Sequence, residues 1–304
     1  MINKILLLIA LFLISVAIYS FGFVDFPTTQ KPKVSPSPIT KTWEIKSIDT
    51  MKYSRDLAEE KLQDSSFDTE INAHVAKIKE SGANYVAIGT PYDQRFYPIL
   101  KRWVDAARKN NLNVWFRGNF SGWEGWFGEA KISKEEHTRL MREFIQTNPN
   151  LFKNGDIFSP CPECENGGPG DPRSKTTKEE FSSFLISERN IALEEFKSID
   201  KEILVFDSMN YDVASLIMDE QTAKDLGGIV AIDHYVKTPQ QLSNDIQKLA
   251  QKSKARIVLG EFGAPIPDIH GDMDAIEQAA WIEEALGKIK NHKELMGINY
   301  WVLI

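Results

Sequence analysis

Two carboxylates sit in unusual settings in this chain. Glu261 lies in Leu259-Gly260-Glu261-Phe262-Gly263, and Glu163 in Cys161-Pro162-Glu163-Cys164-Glu165-Asn166-Gly167-Gly168. A pair of carboxyl groups is what hydrolysis of a glycosidic bond needs. One protonates the leaving oxygen, and the other attacks the anomeric carbon or activates water. For Glu261 the plainer role is a helix cap or a rim salt bridge. Its flanking glycines favour chemistry, because they let neighbouring backbone come close. For the second carboxylate, Glu163 and Glu165 compete. They share parity along an extended chain, so alternation does not choose between them. Glu163 is preferred as the one nearer the expected strand end.

Further side chains suited to a sugar lie in residues 115–127, Trp-Phe-Arg-Gly-Asn-Phe-Ser-Gly-Trp-Glu-Gly-Trp-Phe. Trp115 and Phe116 read as strand core. Trp123 and Trp126 fall in a Gly-rich polar loop, where flat rings suit the apolar faces of pyranoses, and Arg117 and Asn119 are donors for hydroxyls. A loop packing its own aromatics is the competing description. Cys161 and Cys164 bracket Glu163. Two cysteines exclude a disulfide framework and a four-cysteine zinc site. A local disulfide and a pair of buried thiols stay equally open. Asp207, His234 and His270 are too dispersed to read as a metal motif, and no cofactor is expected.

These residues need a scaffold, and the chain supplies a regular one. Apolar, β-rich runs occupy residues 43–48, 84–89, 112–118, 156–161, 202–207, 228–233, 256–260 and 296–303, spaced by about 36 residues. Most are apolar throughout, as parallel strands buried on both faces should be. Helical stripes separate them: Ile71, Val75 and Ile78 before Gly82; Ile99, Leu100, Trp103, Val104 and Ala107; Leu242, Ile246 and Leu249 after Thr238-Pro239; and Ala275, Ala279, Ile282, Leu286 and Ile289. Ser133-x-x-Glu136 and Thr177-x-x-Glu180 read as capping boxes. Eight β runs alternating with helices predict an α/β fold of the (β/α)8 TIM barrel type, truncated after strand 8, since the chain stops at Ile304. A doubly wound sheet would need a Gly-rich phosphate turn after the first strand, which this chain lacks. In a barrel the carboxyl ends of the strands carry the active site. That rim receives Glu163 and Glu165 after the fourth run, His234 and Tyr235 after the sixth, Glu261 at the seventh and Trp301 at the eighth.

Gly260-Glu261-Phe262-Gly263, the carboxylate after the fourth run and Trp301 in the last resemble clan A glycoside hydrolases, most nearly the cellulase- and mannanase-type barrels of family 5. The resemblance spans nearly all of residues 43–304 in architecture and only the strand ends in motif. It implies that Glu261 is the nucleophile and Glu163 the acid/base. It also implies that His234 and Tyr235 hydrogen-bond substrate and nucleophile, and that Trp301 is the aromatic floor under the sugar at the cleavage point. The pattern departs at one place. The family has Asn immediately before its acid/base to hold the sugar 2-hydroxyl, whereas Pro162 precedes Glu163 and Cys164 precedes Glu165. Asn166, Asn119 and Asn210 are the candidates to replace it.

The remaining sequence bears on location and partners. Residues 5–24 carry no charge and are long enough to span a bilayer core. Residues 27–40 are rich in Pro, Ser and Thr. The expected organisation is a signal-anchor or cleaved signal peptide over 1–26, a Pro-rich linker over 27–40 and a catalytic domain over 41–304. The domain would then be extracytoplasmic, touching the membrane only through the N-terminal helix. Net charge is −7 without a basic block, which argues against nucleic acid as a partner. The expected function is retaining hydrolysis of β-linked polysaccharide or oligosaccharide. An inactive carbohydrate-binding barrel and a metal-dependent hydrolase on the same fold are the competitors.

Overall fold

The computed structural model describes residues 43–301. The leader and linker expected over 1–40, and residues 302–303 of the eighth run, lie outside the described residues. Within them, no helix is long and apolar enough to cross a membrane. Nine parallel segments form one sheet: β1 (Ile45–Asp49), β2 (Tyr85–Ile88), β3 (Asn113–Phe116), β4 (Ile157–Phe158), β5 (Leu204–Val205), β6 (Ser208–Asn210), β7 (Ile229–Asp233), β8 (Arg256–Phe262) and β9 (Leu295–Tyr300).

The hydrogen-bonded order runs β5-β4-β3-β2-β1-β9-β8-β7-β6. Its two ends, β5 and β6, are separated in the chain only by Phe206 and Asp207. They are two halves of one interrupted strand, β5 pairing with β4 and β6 with β7. The sheet therefore goes round through eight strand positions, and the covalent chain crosses the one gap in the ladder. This is the expected (β/α)8 TIM barrel. The fifth strand reaches Asn210 rather than ending at residue 207, because its second half re-pairs with β7 after the break.

The connecting helices follow the apolar stripes. α1 (Asp68–Glu80) buries Ile71, Val75 and Ile78, and α2 (Tyr97–Lys109) buries Ile99, Leu100, Trp103, Val104 and Ala107. α3 (Lys134–Thr147) and α4 (Lys178–Ser198) open on Ser133 and Thr177. Thr177 and Glu180 form a full capping box, whereas Ser133 supplies only its own half, since the Glu136 carboxylate turns to Arg139 at 2.8 Å. Two short helices, α5 (Tyr211–Ile217) and α6 (Glu220–Asp225), follow the interrupted strand. α7 (Pro239–Ser253) starts with Pro239 in its first turn and buries Leu242, Ile246 and Leu249. α8 (Ala275–Ile289) is rotated from the expected stripe. Its buried residues are Trp281, Ala285 and Ile289, while Ala275 and Ala279 are exposed. The large Trp281 ring takes the inner face, and its indole N–H donates to the Lys237 carbonyl at 3.3 Å.

Inside the barrel, alternate residues of the strands build a layer of Ile45, Ala87, Trp115, Ile157, Phe206, Ile229, Ala231, Val258 and Met296. Successive inward residues are two apart. The next inward positions above Trp115 and Ala231, and two steps above Ile45, are Arg117, Asp233 and Asp49. The apolar layer thus carries a charged layer at its carboxyl-end face.

Candidate active site

Arg117 is the centre of that charged layer. Its side chain is fully buried and lies over the Trp115 ring, 5.4 Å from the centroid. Nη1 donates to Asp49 Oδ2 at 2.9 Å and to Glu261 Oε1 at 2.8 Å. Nη2 donates to Ser208 Oγ at 2.9 Å and to Asp233 Oδ2 at 3.1 Å. Burial works against the guanidinium charge, but Asp233, Glu261 and Asp49 together hold it firmly protonated. The expectation that Arg117 donates to substrate is corrected, because its two terminal nitrogens are committed to protein groups.

Glu261 owes its inward aim to a bulge. Ile232 pairs with Leu259, and the next residue of β7, Asp233, pairs with Glu261 rather than Gly260. One extra residue on β8 inverts the parity of the residues beyond it. Val258 faces the interior, so an unbulged strand would turn Glu261 outward. Instead Glu261 Oε1 meets Arg117, and Oε2 accepts from the Tyr235 hydroxyl at 2.7 Å. Burial raises Glu261 above its ordinary value, with Arg117 and the Tyr235 hydroxyl opposing the rise. Burial and the nearby Glu261 charge also keep the Tyr235 phenol protonated.

Glu163 comes from the loop that follows β4. That loop is fastened to the interrupted strand: Cys161 N–H donates to Asp207 Oδ1 at 2.7 Å, and Glu163 N–H donates to the Ser208 carbonyl at 2.8 Å. Cys161 and Cys164 are joined by a disulfide, which settles the alternatives left by the sequence. Glu163 itself has φ +48, a left-handed conformation that is uncommon for a residue other than glycine. Its carboxylate approaches those of Glu261 and Asp233, with one oxygen from each residue lying within 4.8 Å of the others. Burial, then the charge of Glu261, pushes the Glu163 carboxyl up to about 8. Glu165 points elsewhere, accepting from Asn210 N–H at 2.6 Å and Asn210 Nδ2 at 2.9 Å. Of the two competing glutamates, Glu163 is the one that faces Glu261.

Several other expected contacts are redirected. Asn119 is buried, donating to Glu124 Oε1 and accepting from Phe120 N–H, both at 2.8 Å, with His137 Nε2 2.9 Å from its carbonyl oxygen. It is therefore not free to hold a sugar hydroxyl. Trp123 is 1% exposed and stacks on Phe184, with centroids 5.3 Å apart and planes 9° apart. A Cβ on Gly168 would lie 2.0 Å from the Trp123 ring, so this tryptophan is packed under the Glu163 loop and is no open platform. His234 turns its ring to Asp245 Oδ2 at 3.0 Å and stacks on Tyr211, away from Glu261. The cause is that adjacent residues on a strand end point to opposite faces, and Tyr235 takes the inner one. His270 bonds the Val236 carbonyl, apart from His234 and Asp207.

Trp126 and Trp301 remain half-buried. Arg55 lies over Trp126 at 5.0 Å, and Trp301 meets Tyr235 edge-on at 5.7 Å, beside Glu261. Exposed Asn166 accepts from Asn210 Nδ2 at 3.1 Å.

The site residues to which the sequence assigned no role are Asp49, Asp233, Ser208 and Asn299. Asn299 donates to Asp49 Oδ2 at 3.2 Å and to the Gly260 carbonyl at 2.8 Å. Asp233 did carry a signal, as the charged residue ending an otherwise apolar strand.

A scan against protein-family models finds no match, nor does a search of curated proteins. Solved structures do match. A fungal β-1,4-galactanase aligns over 86% of this chain and 89% of its own, with a TM-score of 0.57 at 13% identity. The GH53 catalytic domain of Ignisphaera aggregans aligns over 88% and 86%, with a TM-score of 0.57 at 16% identity. The chain shares the (β/α)8 barrel fold of these structures. A Bacteroides uniformis β-glucuronidase shares it over 77% of this chain, with a TM-score of 0.54 at 13% identity, but the chain spans only 28% of that protein's length. At such identities the likeness is one of fold, and the chemistry rests on the residues of the rim.

Proposed function

We propose that this glycosidase-like barrel is a retaining hydrolase of β-linked polysaccharide or oligosaccharide. The observation that carries the reading is the approach of Glu163 and Glu261, one carboxylate oxygen of each lying within 4.8 Å of the other. Retaining pairs stand about 5–5.5 Å apart, and inverting pairs about 6.5–9.5 Å, to admit a water.

Glu261 attacks the anomeric carbon as the bond to the leaving oxygen breaks, and Glu163 gives that oxygen its proton. In the second step Glu163 removes a proton from water. The water oxygen takes the anomeric carbon, and the bond to Glu261 breaks, returning its carboxylate. The two environments suit these roles. Glu261 receives two hydrogen bonds, from a guanidinium and a phenol, which favour its charged form. Glu163 lies beside the other carboxylates and holds its proton. Trp301, next to Tyr235, is the proposed sugar platform, with Trp126 and Asn166 as outer contacts; Glu165, buried and held by Asn210, is withdrawn from the expected sugar contacts. We place the reaction outside the cytoplasmic membrane, on the uncharged run 5–24 and the linker 27–40; fractionation of cells producing the full chain tests this.

The direct test is hydrolysis of aryl β-glycosides and β-glycans by the full chain, with proton NMR identifying the first-formed anomer. Retention supports the reading. Inversion, or activity surviving Glu261→Ala, defeats it. The metal-dependent alternative draws on the same three carboxylates, Glu163, Asp233 and Glu261, as ligands. Arg117 already supplies a positive charge among the acids. Loss of turnover on chelation, restored by a divalent ion, would favour the metal reading.

A further inference from the structure

We propose that the sugar stacked on Trp301 carries an anionic group, a carboxylate or a sulfate ester, and that Lys52 is the residue that selects it. The inference rests on the glycosidase reading and names the class of its substrate. Lys52 Nζ lies 5.9 Å from the centre of the Trp301 indole. Trp301 meets Tyr235 edge-on, and the Tyr235 hydroxyl donates to Glu261. A cation therefore stands beside the sugar platform, with only two side chains between it and the nucleophile.

Lys52 is exposed, and its ammonium makes no ion pair or hydrogen bond among the described residues. Other surface lysines find acids, as Lys61 does with Glu60 and Lys101 with Asp105. The backbone that carries Lys52 is fixed. Thr50 N–H donates to the Ala87 carbonyl at 3.0 Å. Met51 N–H donates at 2.6 Å to Oδ1 of Asp49, the acid whose other oxygen holds Arg117. Gly89 N–H donates to Ser54 Oγ at 3.0 Å, and a Cβ on Gly89 would lie 3.1 Å from Met51 Cγ. The one-turn helix Met51–Ser54 is thus fastened to the end of β2 and to the charged layer, and it presents a free ammonium at the rim.

Arg55, three residues on, adds a second cation over Trp126, with only its Nε bonded, to Asp56 at 2.8 Å. Residues three apart on helical backbone share one side. Each half-buried rim tryptophan therefore has a cation next to it. The nucleophile is itself an anion, so an acidic sugar is repelled there unless the rim returns a positive charge. A compact ammonium on a flexible stem can follow a carboxylate or a sulfate on the stacked ring. A lysine that served only to cover Trp301 would not discriminate between acidic and neutral sugars.

The test uses the full chain and substrates that differ only in the anionic group. Aryl β-glucuronide is compared with aryl β-glucoside, β-galacturonide with β-galactoside, each neutral glycoside with its 6-sulfate, and acidic with neutral oligosaccharides. The kcat/KM values should favour the acidic members, the carboxylate and sulfate arms showing which anion is selected. Lys52→Met should lower that preference about fivefold, Lys52→Arg should keep it, and sodium chloride should shrink it. Preference for the neutral members, or a preference that Lys52→Met leaves in place, overturns the proposal and leaves the glycosidase reading standing. Titration calorimetry with the same oligosaccharides separates the two. Selective binding of the acidic ones, lost in Lys52→Met, without turnover of any substrate keeps the proposal and removes the glycosidase reading. Absence of both selective binding and turnover removes both.

Discussion

The Tyr235 hydroxyl donates to Oε2 of Glu261 at 2.7 Å, while Arg117 holds the other oxygen of the same carboxylate. Hydrogen bonds to charged groups contribute about 1.5–3 kcal/mol. Tyr235→Phe should therefore lower kcat/KM about ten- to hundredfold. Losing a donor to the charged form raises the Glu261 pKa, so the acid limb of the pH profile should move to higher pH. A limb that stays in place would remove Tyr235 from the proposed mechanism.

The alkaline limb belongs to Glu163. Its carboxyl is pushed up to about 8 by burial and by Glu261, and the mechanism needs the protonated form. Activity should fall as pH rises through about 8. Glu163→Gln should abolish that limb on aryl glycosides whose leaving groups need no proton.

The same shift affects stability. A carboxyl raised above its unfolded value binds more protons in the folded state, so it contributes stability below its ordinary range that is lost as pH rises toward about 8. Glu163→Gln, which cannot ionise, should melt at a higher temperature than wild type at pH 9 and near the wild-type temperature at pH 4. Thermal denaturation at the two pH values checks this.

Glu163 lies inside the ring closed by Cys161 and Cys164 and has positive φ. Opening the ring gives this residue access to ordinary backbone conformations, which move its carboxyl. Because misplacing a catalytic group by about 1 Å can cost about a hundredfold, Cys161→Ser/Cys164→Ser should lower kcat by roughly ten- to hundredfold with little change in KM. Steady-state kinetics on a chain that remains folded by circular dichroism checks this.

The loop tryptophans should separate by role. Trp123→Ala removes a buried ring that underlies Gly167 and Gly168, and should cost about 3–5 kcal/mol of stability. Trp301→Ala, at a half-buried position, should leave melting nearly unchanged and raise KM about tenfold. Equal effects of the two on melting would contradict the assignment.

Strand rhythm and helix stripes were legible in the residues alone, because parallel strands buried on both faces and helices buried on one each leave a periodic mark. The stripes over 71–78 and 99–107 were recovered as buried faces. Glu261 was marked by its glycines, although the bulge at Gly260 that aims it came only from pairing with β7. Loops leave no such mark. In the loop after β4, Glu163 and Glu165 have equal parity, and the disulfide, the Asp207 contact and the left-handed turn at Glu163 separate them. In the loop after β3, composition made Trp123 look available, and packing against Phe184 buried it. Arg117 reads as a surface donor in one dimension. Its burial comes from three carboxylates, on strands distant in sequence, converging on one guanidinium, a balance of charge that exists only once the barrel closes.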